Sequence, residues 1–111
     1  MQYMLLVYDD PSQWTVSDDE MPAVYEEYAA VARDKATKHS AQLQGTETAK
    51  TVRIRSGETL VTDGPFAETK ERLGGYYLVE ADSIEDAAAL AAKIPSARLG
   101  GSVEVRQVVE M

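Results

Sequence analysis

Two short runs of this chain are apolar on both faces, and they constrain its fold more than any other feature. In residues 3–8, Tyr3, Leu5 and Val7 share one side of an extended strand, while Met4, Leu6 and Tyr8 share the other. Tyr76-Tyr77-Leu78-Val79 repeats the pattern far along the chain. A strand without a polar face belongs in the interior of a sheet and must be covered on both sides. The fold therefore has to bring two distant segments to the middle of one sheet and then supply two covers.

The remaining elements follow from periodicity and turn signals. Asp9-Asp10-Pro11-Ser12 marks a turn after the first strand. Trp14 falls in the loop beyond it, where a tryptophan packs against a helix or a neighbouring subunit. Ser17 and Glu20 have capping-box spacing, and the stripe Met21, Val24, Tyr28, Val31, Ala32 predicts a helix from about residue 20 to 40. Lys35, Lys38 and His39 would then supply the positive charge that a helix C-terminus favours. Val52 and Ile54 alternate with Arg53 and Arg55 in a strand, Ser56-Gly57 reads as a hairpin turn, and Glu58–Thr62 is the return strand. Ser83 caps a second helix, with Asp86 three positions on and Ile84, Ala87, Ala88, Leu90, Ala91 and Ile94 as its apolar stripe. Residues 102–108 form the last strand.

The order is β, α, β, β, a long connection, β, α, β. This predicts a single α+β domain over residues 1–111, a ferredoxin-like split βαβ sandwich with an extra hairpin. Two helices can cover only one face of such a sheet. The other face would leave an apolar patch larger than monomers tolerate, so a second copy is the simplest cover. Two sheets facing each other make a homodimer with the form of an α+β barrel.

Composition narrows the function classes. The net charge of −8, from 19 acidic and 11 basic residues, argues against binding DNA or RNA, which requires phosphate neutralisation by Lys and Arg. The absence of cysteine excludes disulfides, thiolate nucleophiles and Cys-ligated zinc. One histidine and scattered carboxylates form no metal-ligand spacing, and no motif calls for a cofactor. No apolar run reaches the length of a membrane span and the N-terminus lacks a basic leader, so the expected location is cytoplasmic.

The connection between the hairpin and the fourth predicted strand is far longer than the roughly two to five residues such a link needs. It holds Asp63-Gly64-Pro65-Phe66, then Glu68, Lys70, Glu71 and Arg72, then Gly74-Gly75. The run Val61-Thr-Asp-Gly-Pro-Phe-Ala-Glu-Thr-Lys-Glu, continued by Leu73-Gly-Gly-Tyr-Tyr-Leu-Val, resembles the signature of the DGPF subfamily of YCII-related proteins. Met1–Tyr8, Pro95-Ser-Ala-Arg and Gly101-Ser-Val-Glu-Val-Arg are similar to the same family's first strand and C-terminal motif. The resemblance implies a ferredoxin-like domain that dimerises into an α+β barrel. It also implies a small enzyme using a His–Asp pair in a cleft, with Asp63 at the position of the Asp. Many DGPF proteins are encoded beside or fused to extracytoplasmic-function sigma factors, which implies, as the alternative to an enzyme or ligand binder, an accessory or regulatory module acting by protein contact, for example with such a sigma factor.

Each candidate has a plainer reading beside it. Asp63 is the first choice for a general base, yet Asp-Gly is also a common turn pair whose Gly supplies positive φ. His39 is the one side chain with an ordinary pKa near neutrality and the partner such a dyad needs, yet a helix-end charge also explains it. Tyr8 and Tyr76 are expected to line a cleft near Asp63, or simply to fill a core or interface. Lys70, Arg53, Arg55 and Arg106 are the expected contacts for a small anionic ligand, though exposed charges usually form weak surface pairs. Gly74-Gly75 points to a bulge or a close backbone approach rather than a phosphate loop.

Overall fold

The computed structural model describes residues 1–65 and 69–110. Its elements run β1 (Gln2–Asp9), α1 (Met21–Arg33), β2 (Thr37–Gln42), β3 (Lys50–Arg55), β4 (Glu58–Asp63), β5 (Arg72–Glu80), α2 (Ile84–Ala91) and β6 (Ser102–Gln107). Strands β2, β5, β1 and β6 lie in that order in one antiparallel sheet. This is the α+β, ferredoxin-like arrangement, with β3 and β4 inserted as a separate two-stranded hairpin. As their two apolar faces demand, β1 and β5 occupy the interior of the sheet.

One face of the sheet carries Tyr3, Leu5, Val7, Tyr77 and Val79, packed with Val31 of α1 and with Ala87, Leu90, Ala91 and Ile94 at α2. Ser83 starts α2 as its spacing predicts, its hydroxyl accepting from the Asp86 N–H at 3.1 Å. The opposite face presents Met4, Leu6, Tyr8, Tyr76 and Leu78, all half-buried, with no helix among the described residues over them. The Cα envelope measures 45 × 41 × 18 Å, a flat slab, and its radius of gyration of 15.8 Å exceeds the about 13 Å of a compact chain this long.

The first helix is shorter than its periodicity suggests. Asp34 leaves helical geometry (ψ 140°), and its carboxylate accepts from the Ala36 N–H at 2.9 Å. That local bond competes with the helix and ends it. The following residues, Lys38 and His39 included, form β2 on the sheet edge instead of a helix terminus. Edge strands face solvent and need no apolar alternation, so Thr-Lys-His-Ser-Ala-Gln carries no strand signal. At the other end Glu20 makes no side-chain cap bond; Ser17 instead donates to Glu20 at 2.8 Å, just ahead of the helix.

The hairpin matches its sequence closely. Ser56 and Gly57 both adopt positive φ, 51° and 78°, as a type I′ turn requires. Gly74-Gly75 is where the β1–β5 register shifts: Val7 faces Gly75, but Tyr8 faces Leu73. A Cβ on Gly75 would lie 2.7 Å from the Ala41 carbonyl oxygen, so glycine there lets β2 approach β5.

Candidate active site

The site begins with a break in the apolar stripe of β1. Tyr3, Leu5 and Val7 face the helices, and the next position on that side is Asp9. A carboxylate at the end of an apolar stripe needs a partner, and Ser96 supplies it, donating to Asp9 Oδ1 at 2.6 Å. Ser96 is fully buried in a short 3-10 turn that follows α2 and begins at Pro95. Its hydroxyl carries one hydrogen, already given to Asp9, so Tyr28 must be the donor in the 2.7 Å contact between Tyr28 Oη and Ser96 Oγ. The result is a directed chain from Tyr28 through Ser96 to Asp9.

Glycines close in around this carboxylate. A Cβ on Gly74 would lie 2.7 Å from Asp9 Oδ2, and one on Gly101 would collide with the Tyr8 carbonyl. Asp10 is separate: it accepts from the Ser12 N–H at 3.0 Å and caps the turn at Pro11–Gln13.

Asp9 lines a cavity of about 550 Å³ between α1 and the sheet, within the range that small ligands occupy. Trp14, Tyr25, Tyr28 and Tyr77 supply aromatic surface, Met21, Ala29 and Ala32 aliphatic surface, and Ser40 and Gln42 polar groups from β2. Burial pushes the Tyr77 phenol up to about 12, and burial also raises Tyr28. Both phenols therefore stay protonated near neutral pH. Tyr77 donates to the Tyr28 carbonyl at 3.1 Å, tying the sheet to α1. A half-buried carboxylate beside hydroxyl donors and a cavity can take a proton from a bound molecule or orient it by hydrogen bonding. Among the described residues no group of three or more His, Cys, Asp or Glu is placed to hold a metal ion.

The residues singled out by sequence fall into separate groups. Asp63 ends β4, pairs with Lys50 across the hairpin and is exposed; Gly64 beside it has φ 92°, the turn conformation of an Asp-Gly pair. His39 Nδ1 is 2.9 Å from Tyr76 Oη, and the two rings stack with centroids 5.6 Å apart. The hydrogen-bond partners thus differ: Lys50 for Asp63, Tyr76 for His39. Register puts His39, Leu78, Met4 and Arg106 in one row on the open sheet face, with Tyr76 and Tyr8 on the same face, and of these Tyr76 is also among the residues lining the cavity with Asp9. Arg53 and Arg55 lie on the hairpin, and Lys70 is exposed ahead of β5. Phe66 and Glu68, expected to anchor and charge the long connection, lie outside the described residues.

Asp9, Tyr28 and Ser96 were not singled out by sequence. One signal was present: Asp9 continues the period-two stripe Tyr3, Leu5, Val7 with a charge. Tyr28 stands in the α1 stripe and Ser96 in the Pro95-Ser-Ala-Arg run, but their link to Asp9 becomes visible only once the fold is known, because Ser96 lies 87 residues from Asp9.

Comparison with known proteins agrees with this architecture. The fold is similar to that of 5-chloro-2-hydroxyhydroquinone dehydrochlorinase from Burkholderia phenoliruptrix AC1100, solved in complex with 2,5-dihydroxybenzoquinone. The TM-score is 0.57 at 14% identity, covering 100% of this chain and 96% of that one. An uncharacterised protein of Rhizobium meliloti (strain 1021) is 41% identical over 114 residues, covering 96% of this chain and 90% of the relative. The model of the YCII-related domain matches residues 1–111, and the chain belongs to that family.

Proposed function

We propose that this protein is a small cofactor-independent enzyme or small-ligand binder that works in the cavity beneath α1, with Asp9 receiving a proton or hydrogen bond from the ligand. One observation carries the reading: a carboxylate held by a buried serine lines an aromatic-walled cavity of ligand size. The dehydrochlorinase of similar fold adds a fold-level analogy and suggests hydroxylated rings as first probes. The DGPF motif around Asp63 supports membership of that subfamily and leaves Asp63 as a second candidate base.

The open sheet face supports a homodimer as the working form, a second copy covering Met4, Leu6, Tyr76 and Leu78. Contact with a sigma factor gains no observation of its own, since an exposed apolar surface serves a second copy equally well.

The test is a panel of dihydroxybenzenes and hydroxyquinones followed by thermal shift and by the indole N–H resonance of Trp14. Binding should raise the melting temperature and move that resonance. An Asp9→Asn variant keeps the shape and an acceptor for Ser96, so it should fold with nearly unchanged stability and lose the response. Ligand responses confined to residues outside the cavity, or a full response in the Asn variant, would remove Asp9 from the reaction.

A further inference from the structure

The charge of the cavity selects among ligands. Its described lining residues include one acid, Asp9, and no Lys, Arg or His. The nearby guanidinium of Arg98 is held in a two-pronged pair with Glu27, at 2.5 and 2.8 Å. Arg72 stands opposite Asp9 in the β1–β5 register, yet no ion pair within 4 Å joins them. Ser96 donates a hydrogen bond to the carboxylate, which orients it without cancelling its charge. Around it lie Trp14, Tyr25, Tyr28 and Tyr77, whose ring faces are electron-rich and attract cations. An anion entering this space meets a like charge, while a cation meets aromatic faces and a carboxylate with no ion-pair partner within 4 Å among the described residues.

Resting on the reading of this cavity as the ligand site, we propose that it takes molecules carrying a protonated amine on an aromatic or apolar body, with the ammonium at Asp9 and the body against Trp14 and Tyr25. The arginines and lysine that sequence suggested for an anion do not line it. A protonated amine donates up to three hydrogen bonds, and one of them can reach Asp9 Oδ2, the oxygen not bonded to Ser96. Gly74 leaves the space beside that oxygen free of side-chain atoms.

Benzylamine, benzyl alcohol and benzoate share one ring and differ in charge at pH 7, so they separate the charge preference from the existence of the site. Titration by amide and indole NMR on the whole chain should show benzylammonium shifting Trp14 and β1 resonances, with an affinity about tenfold or more above benzyl alcohol. Benzoate should bind weakest. In Asp9→Asn the amine should lose its advantage, so that the amine and the alcohol bind with nearly equal affinity. Equal or tighter binding of the alcohol or benzoate in the cavity overturns the charge preference and leaves the cavity reading standing. If none of the three moves a cavity resonance, the amine proposal falls, while the cavity reading is decided by the dihydroxybenzenes and hydroxyquinones. The wild-type series decides the matter even if the Asn variant does not fold.

Discussion

The four-stranded sheet and the β3–β4 hairpin both carry strands with an apolar face, but among the described residues the chain covers only one of them. Leu5 and Val79 are completely buried, whereas Val52, Ile54 and Val61 are 61%, 66% and 59% exposed. Each region ends a strand with an aspartate just before a proline turn, Asp9 before Asp10-Pro11 and Asp63 before Gly64-Pro65. One is clamped by a buried serine at the edge of a cavity; the other forms a surface pair with Lys50. The pattern of apolar residues thus specifies that a strand has an apolar face. It does not specify whether that face is met by its own chain or by another. An isolated two-stranded hairpin is only marginally stable in water, and the apolar side of this one is available to a neighbour.

The two carboxylates offer the sharpest way to break this contrast. Asp9→Asn should lower activity by about 10²–10⁴-fold, the usual worth of a positioned acid or base, and weaken ligand binding, while Asp63→Asn leaves both nearly intact. Once a responding ligand is found, parallel titrations of both variants decide it. The reverse pattern would return the site to the DGPF motif and require the hairpin to reach a cavity from another copy.

A second contrast concerns packing. Leu5→Ala should cost about 2–5 kcal/mol in urea unfolding, since it empties a fully buried position. Val52→Ala should change the stability of a dilute protomer by no more than about 0.5 kcal/mol. If a second copy covers the hairpin and the open sheet face, wild-type stability rises with protein concentration and light scattering gives a dimer burying over about 1,200 Å². Ile54→Asp should then produce a folded monomer. A persistent wild-type monomer at micromolar concentration would end the dimer proposal.

The double glycine separates structure from function one residue apart. Gly75→Ala should cost about 1–3 kcal/mol, because the new methyl meets the Ala41 backbone and pushes β2 outward. Gly74→Ala meets the Asp9 carboxylate instead, so it should weaken ligand response more than folding. Chemical denaturation beside ligand titration distinguishes the two.

The smallest effect lies at high pH. Tyr77 is raised from 10.0 to about 12 in the folded chain, so between those values the fold holds a proton that the unfolded chain has lost. Stability should fall as pH rises through that window, with Tyr28 contributing in the same direction. A Tyr77→Phe variant should flatten the decline in urea midpoints measured across it. The hairpin, which contains no tyrosine, should contribute none of this dependence.

Local signals determined most of the architecture. The doubly apolar runs specify β1 and β5 as interior strands, Ser83 specifies the start of α2, and Ser56-Gly57 specifies the hairpin turn. Each depends on backbone geometry or periodicity within a few residues, which sequence carries directly. Strand β2 escaped because an edge strand takes its order from hydrogen bonds to β5 and needs no pattern of its own. The candidate site escaped for a related reason. Asp9, Tyr28 and Ser96 acquire a shared role only when β1, α1 and the turn after α2 pack together, and the burial that makes their hydrogen bonds matter is a property of that packing. Which residues are apolar was settled by the sequence alone; which carboxylate became enclosed was decided by tertiary structure, because desolvation depends on neighbours from distant parts of the chain.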